Sequence, residues 1–420
     1  IKTGIFSLLG KDADESAPYA PPVKFDKVIP AARKLVKKLR KEGCDVVICL
    51  SHSGITKGKD GEWTGEDVKL AQKVKGIDLI ISAHTHILLQ EPIVVKGVPI
   101  VLAGGAGSHV GRVEMNINNG KVSLESYVPM PVNDEVVADP SVQAAIEAQA
   151  AEVNTGILAP LGYSYGEPVV TAPFTLTYDE TRDGSESNLG PLVADAIWYY
   201  MNADGPGTDI AMVAAGVLRD PIMPGTQSIA DVFRVMSLGS GADRVPGYAL
   251  SKLYVTGREL KNIIEVLIMS SASTPSHFCY YSHLRIEYDP NGGIFKKVKK
   301  LEFTDRDGNV TPILTGKEDN RLYSIVANSY MLDFVGIIKK QSFGLINVVP
   351  KDENGIEVTE MDNAVADFDK SLPGTQEGKE WLALVKFFRQ MKPAEAGGIP
   401  VIPQYYEKPP LSLVKVNSSK

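Results

Sequence analysis

Asp78-Leu79-Ile80-Ile81-Ser82-Ala83-His84-Thr85-His86 carries an apolar run that stops abruptly at two histidines. Side chains alternate along an extended backbone, so His84 and His86, two positions apart, lie on the same side. This is the profile of a buried strand that delivers side chains at its carboxyl end. Residues 45–54, D-V-V-I-C-L-S-H-S-G, repeat the pattern earlier in the chain and end on His52. Two neighbouring strand ends would present three imidazoles to one crevice. Neutral imidazole suits zinc, manganese or iron, so His52, His84 and His86 read as part of a metal site. One such histidine alone reads as an ordinary hydrogen-bonded residue; what favours a site is that three of the six fall at equivalent points of two strand-helix units. His109, His277 and His283 have no such setting.

Working outward, residues 26–42 place Val28, Ala32, Leu35, Val36 and Leu39 at helical spacing, with Lys34, Lys37, Lys38 and Lys41 mostly opposite. That predicts an amphipathic helix with a solvated basic face. Gly43 is its expected stop, and the continuous V-V-I-C-L run after it suits a parallel strand covered on both faces. Residues 64–74 and 78–82 continue as helix and strand, which is the α/β pattern. The opening Ile1-Lys2-Thr3-Gly4-Ile5-Phe6-Ser7-Leu8-Leu9-Gly10 also reads as a strand. A terminus seldom begins inside a buried strand, so the chain is expected to be cut from a longer parent, any signal peptide going with the missing part.

Past Pro92 the signal changes to hairpins: residues 93–95 with 99–103 around Lys96-Gly97, and residues 113–117 with 122–127 around Asn118-Asn119-Gly120. Pro129 and Pro131 close a first domain at 1–132. Asp139-Pro140 makes an N-cap and first helical residue, which predicts a bridging helix within a linker at 133–160. The second domain, 161–420, has its own alternation. Helix is expected over 188–202 and strand over 209–215 and 248–255. A helix capped by Thr256 with Glu259 at its third position follows. Next come a hairpin of residues 284–288 and 295–303, a strand over 321–327, and a helix over 380–391 that packs Leu382, Leu384, Val385 and Phe388. The proline-rich end beyond Lys392 has no period and is expected along the surface.

The 420 residues are enough for two or three domains. Hydrophobic residues at 44% and charged residues at 23% are ordinary for a globular chain. A net charge of −7 without a dominant basic patch argues against nucleic acid as a partner. No apolar run is long enough to cross a membrane as a helix. Cys44, Cys49 and Cys279 are an odd count at spacings that define no disulfide framework.

L-S-H-S-G, then G-I-D-L-I-I-S-A-H-T-H, V-P-I-V-L-A-G-G-A-G and V-G-R-V-E-M resemble the second half of a metallophosphoesterase domain of the bacterial 5′-nucleotidase and UDP-sugar hydrolase family. Further on, E-S-N-L-G-P-L-V-A-D-A from Glu186 resembles the opening of that family's C-terminal domain. The resemblance covers essentially the whole chain in the family's order. It implies the remnant of a metallophosphoesterase α/β sandwich, a bridging helix and a mixed α+β C-terminal domain. Ala83-His84 stands where the family has Gly-His. The resemblance further implies two divalent metal ions of the zinc, manganese or iron class, His52 and His84 serving one and His86 the other. The family's Asp-x-His segment, bridging Asp and Asn-His pair are absent, so no catalytic acid or base can be named. The chain by itself is expected to hold metal weakly and to be inactive.

In the second domain the resemblance implies an arginine on the nucleotide and two rings around the base: Arg219, Phe278 and Tyr330. Ala214-Ala215-Gly216-Val217-Leu218-Arg219 replaces the family's Asn-Gly-Gly-Gly-Ile-Arg. Arg219 reads equally well as the partner of a nearby carboxylate, and aromatics at such spacings are otherwise core. Met331-Leu332-Asp333-Phe334-Val335-Gly336 stands where the family has Gly-Gly-Asp-Gly, which opens the substrate to another phosphate ester or a sugar nucleotide. The leading expectation is a metal-dependent phosphohydrolase releasing phosphate from nucleotides. The alternative is a module that binds a nucleotide or phosphate ester without turnover. Family resemblance adds a periplasmic or extracellular location.

Overall fold

Four apolar runs of the N-terminal part align as parallel strands, Thr3–Leu9, Val46–His52, Leu79–Ser82 and Val98–Val101, in that spatial order. Ile93–Val95 adds an antiparallel edge, joined through Lys96 and Gly97, both at positive φ as a tight two-residue hairpin turn requires. The computed structural model describes every residue except 12–19, 21, 59, 119, 134, 179–183, 273, 334–347 and 417–420. Contacts divide it into two units, Ile1–Gln143 and Ala144–Lys420.

In the first unit the helices Val28–Lys41 and Glu66–Lys73 supply the crossovers. The first buries Ala32 and Val36 and turns its lysines to solvent. Successive crossovers stepping in one direction along a sheet are right-handed and so lay both helices on the same face. Phe6, Val47, Cys49, Ile80 and Ile100 are buried in the resulting core. On the other face Ile5 is 58% exposed, Leu9 43%, Leu50 42% and Ile81 38%. Among the described residues Val46–His52 is thus covered by helices on one side only, where its apolar run suits cover on both. A long antiparallel hairpin, His109–Asn118 with Lys121–Pro131, completes the unit.

The helix Pro140–Val153 is capped as its sequence predicts, Asp139 Oδ1 accepting the N–H groups of Ser141 at 2.8 Å and Val142 at 3.2 Å. It buries none of its residues, and the division between the units falls inside it.

The second unit is built on two four-stranded sheets. One has the order Leu250–Thr256, Leu322–Asn328, Ile210–Ala214, Cys279–Ser282, with only Leu322–Asn328 and Ile210–Ala214 parallel. The other runs Val310–Pro312, Val298–Thr304, Leu284–Tyr288, Leu413–Lys415. Helices Leu189–Ala203 and Glu380–Arg389 pack into the larger core, while Gly257–Ser271 packs into a second one. The capping box of Thr256 and Glu259 is present. The C-terminal segment is mostly exposed, as expected, but is anchored at two points and by a short strand. Ile402 and Tyr406 are buried in the core, and Leu413–Lys415 pairs in parallel with Leu284–Tyr288. Single apolar side chains between prolines show no period, yet each fills a place in a core built by other elements. Among the described residues no helix is long and apolar enough to cross a membrane.

Candidate metal and substrate sites

His52 ends its strand, and His84 follows Leu79–Ser82 by two residues, so both stand at the carboxyl end of the parallel sheet. Their ring centroids are 5.0 Å apart with planes at 53°. His84 and His86 have φ of 77° and 52°, the left-handed region that non-glycine residues enter at a cost and that recurs at functional sites. The ring of His86 occupies the space a Cβ on residue 105 would need, with its Cγ 2.6 Å from that position, so Gly105 admits it. Among the described residues no three His, Cys, Asp or Glu side chains gather into a set able to hold a metal ion. The structure brings His52 and His84 together and does not join His86 to them as a three-ligand cluster. In chemistry, neutral imidazoles are donors suited to a zinc-, manganese- or iron-class ion.

Behind the pair lies a buried carboxylate that sequence reading passed over. Asp67, in the first turn of Glu66–Lys73, accepts hydrogen bonds from Ser51 Oγ and Ser82 Oγ, each at 2.6 Å, and from the Gly54 N–H at 3.1 Å. Burial pushes its pKa above the usual carboxylate range, opposed by these hydrogen bonds. Burial, reinforced by the Asp67 charge, raises the neighbouring Cys49 thiol to about 12, which keeps it protonated and inert. The signal was present in the sequence as a serine preceding each strand-end histidine segment, Ser51 and Ser82, and an acid at the start of the intervening helix.

Among the substrate candidates, Arg219 follows the single turn Ala215–Val217 and is half-buried. Its backbone N–H donates to the Val235 carbonyl at 2.9 Å, and its Nη1 lies 3.4 Å from the Gly216 carbonyl oxygen. The adjacent Asp220 is held by Arg234 at 2.7 Å. Phe278 is only 8% exposed and meets Tyr280 edge-on, centroids 5.2 Å apart. A base held between Phe278 and Tyr330 needs both rings open to solvent, so the expected sandwich is corrected at Phe278. The cause is packing: Gly190 on helix Leu189–Ala203 lets the Tyr280 ring approach within 2.3 Å of where a Cβ would be, and Phe278 closes in behind it. Tyr330 is half-buried and stacks on Tyr248, centroids 5.3 Å apart and planes at 19°, a partner not anticipated from sequence. Residues 334–336 of the departure from the family pattern lie outside the described residues.

A mainly parallel sheet with imidazoles at its carboxyl edge is followed by a mixed α+β unit. Residues 11–88 match the calcineurin-like phosphoesterase family, and residues 168–336 match the 5′-nucleotidase, C-terminal domain family. The chain is similar to a 5′-nucleotidase of Diplobatis ommata, 23% identical over 365 residues, covering 79% of this chain and 58% of the relative. An apyrase of Aedes albopictus is 25% identical over 337 residues, covering 74% of this chain and 55% of the relative. The chain thus spans a little over half the length of these relatives. The structure of a 5′-nucleotidase precursor from Thermus thermophilus matches with a TM-score of 0.64 at 22% identity, covering 96% of this chain and 73% of that one, a likeness of fold.

Proposed function

We propose that this chain is part of a metal-dependent phosphohydrolase that releases phosphate from nucleotides. The observation that carries the reading is the approach of His52 and His84, from separate strands, to 5.0 Å at the carboxyl end of the sheet. In this reading His52 and His84 hold one divalent ion of the zinc, manganese or iron class and His86 serves a second. A metal pair supplies a water activated at neutral pH and neutralises charge on the phosphoryl oxygens. The protein's own part is to aim the imidazoles. The second unit then selects the nucleotide, with the Arg219 fork suited to phosphate or ribose oxygens and Tyr330 to the base. Domain limits of 1–132, 133–160 and 161–420 and a periplasmic or extracellular location belong to the same proposal. Because His52 and His84 approach one another without a third ligand among the described residues, the chain alone is proposed to hold metal weakly and to be inactive.

The test is calorimetry with AMP and with Mn(II), beside a phosphate-release assay, with a chelator as control. AMP binding that weakens in Tyr330→Ala, together with weak, chelator-sensitive Mn(II) binding and no release by the chain alone, supports the proposal. AMP binding by a chain that takes up no Mn(II) at all would favour a binding module. Absence of AMP binding would remove the nucleotide from the reading.

A further inference from the structure

We infer that Asp67 is a positioning residue for the His52–His84 pair, fixing both strand ends from the covered side of the sheet. The inference rests on reading that pair as metal-binding. Ser51 and Ser82 are cross-strand neighbours and form the last rung of the ladder between their strands. The register between the two strands ends at that rung, one residue before His52. Alternation turns Ser51 toward the helix side and His52 away from it. A clamp on the serines therefore sets the imidazoles without touching them.

Asp67 is that clamp. It is 0% exposed and takes one serine hydroxyl on each oxygen, while Oδ2 also receives the Gly54 N–H, which ties down the turn after His52. The Ser53 hydroxyl lies 2.9 Å from Ser51 Oγ and extends the network. Its neighbour Glu66 accepts the Lys11 N–H at 2.7 Å, so the same helix start also holds the end of the first strand. Val68, Leu70, Ala71, Ile55 and Cys49 make the surroundings apolar. A carboxylate in such a place is costly to bury unless its donors are fully met, and an apolar residue of similar volume would serve stability as well. What a carboxylate adds is direction: it holds two hydroxyls from two strands at fixed separation.

The test compares Asp67→Ala and Asp67→Asn with Val68→Ala, a buried control on the same helix. Two quantities are read: the ring-to-ring nuclear Overhauser contact of His52 and His84 without metal, and Zn(II) affinity by calorimetry. Asp67→Ala is expected to lose the ring contact and weaken Zn(II) by about 10- to 100-fold, the range for outer-shell partners. Asp67→Asn, whose amide can accept from one serine and donate to the other, is expected to recover most of both. Val68→Ala is expected to keep both despite its lower stability. A folded Asp67→Ala with the wild-type ring contact overturns the inference, as does equal loss in Val68→Ala. Should Asp67→Ala fail to fold, Ser51→Ala and Ser82→Ala each cut one tie, and an unchanged ring contact in both overturns it. Failure of the wild-type protein to bind Zn(II) would instead count against the metal reading, leaving the ring contact to judge Asp67.

Discussion

Glu380 begins a helix, yet its carboxyl is buried, and burial raises its pKa from 4.5 to about 8 against a hydrogen bond from Asn328 Nδ2 at 2.5 Å. The folded protein holds this proton more tightly than the unfolded chain does. Its contribution is therefore present in full below pH 4.5 and is lost as the pH rises toward about 8. The slope reaches up to about 1.4 kcal/mol per pH unit. Glu380→Gln should flatten the difference between urea midpoints at pH 5 and pH 8, and an unchanged pH dependence would place the titration elsewhere. What was legible at this scale follows from what a side chain can announce. His52 and His84 stood out because an apolar run ends on each. Asp67 did not, because its partners are serines whose common orientation exists only once two strands are paired. Phe278 was set beside the base only by the resemblance, because a ring after a proline turn looks the same in sequence whether it points inward or outward.

Helices and strands were legible wherever burial imposes a period, as in Val28–Lys41, and wherever a cap is local, as at Asp139 and Thr256. The direction in which crossovers step was not. It depends on strand order, and it decided that one face of the first sheet stays open. The anchors of the C-terminal tail were not legible for a related reason. Tyr406 is buried and its hydroxyl donates to Asp195 Oδ2 at 2.8 Å, while Ser282 Oγ donates to the other oxygen at 2.6 Å. Removing the phenol would leave that carboxylate short of a donor, at a cost of about 1–3 kcal/mol. Tyr406→Phe should therefore lower the stability of the second unit by that amount, read from its urea midpoint. A variant as stable as the wild type would mean that the tail is held by its apolar contacts alone.

Over the whole molecule, two units of different character were readable from the switch between runs with crossovers and hairpin signals, and the family resemblance spans both. The division at Gln143 and Ala144 falls inside the exposed helix announced by the Asp139-Pro140 cap, although the exact residue has no signal in the sequence. The central claim is that separate strands of the first unit build a metal-binding imidazole pair. It is tested most directly by titrating the protein with Zn(II) while following the imidazole resonances of all six histidines. The account predicts that His52 and His84 shift together and saturate together, that His84→Ala abolishes the shift at His52, and that His277 and His283 stay still. Zn(II) that leaves the His52 and His84 resonances unmoved, or moves His52 equally in His84→Ala, would contradict it.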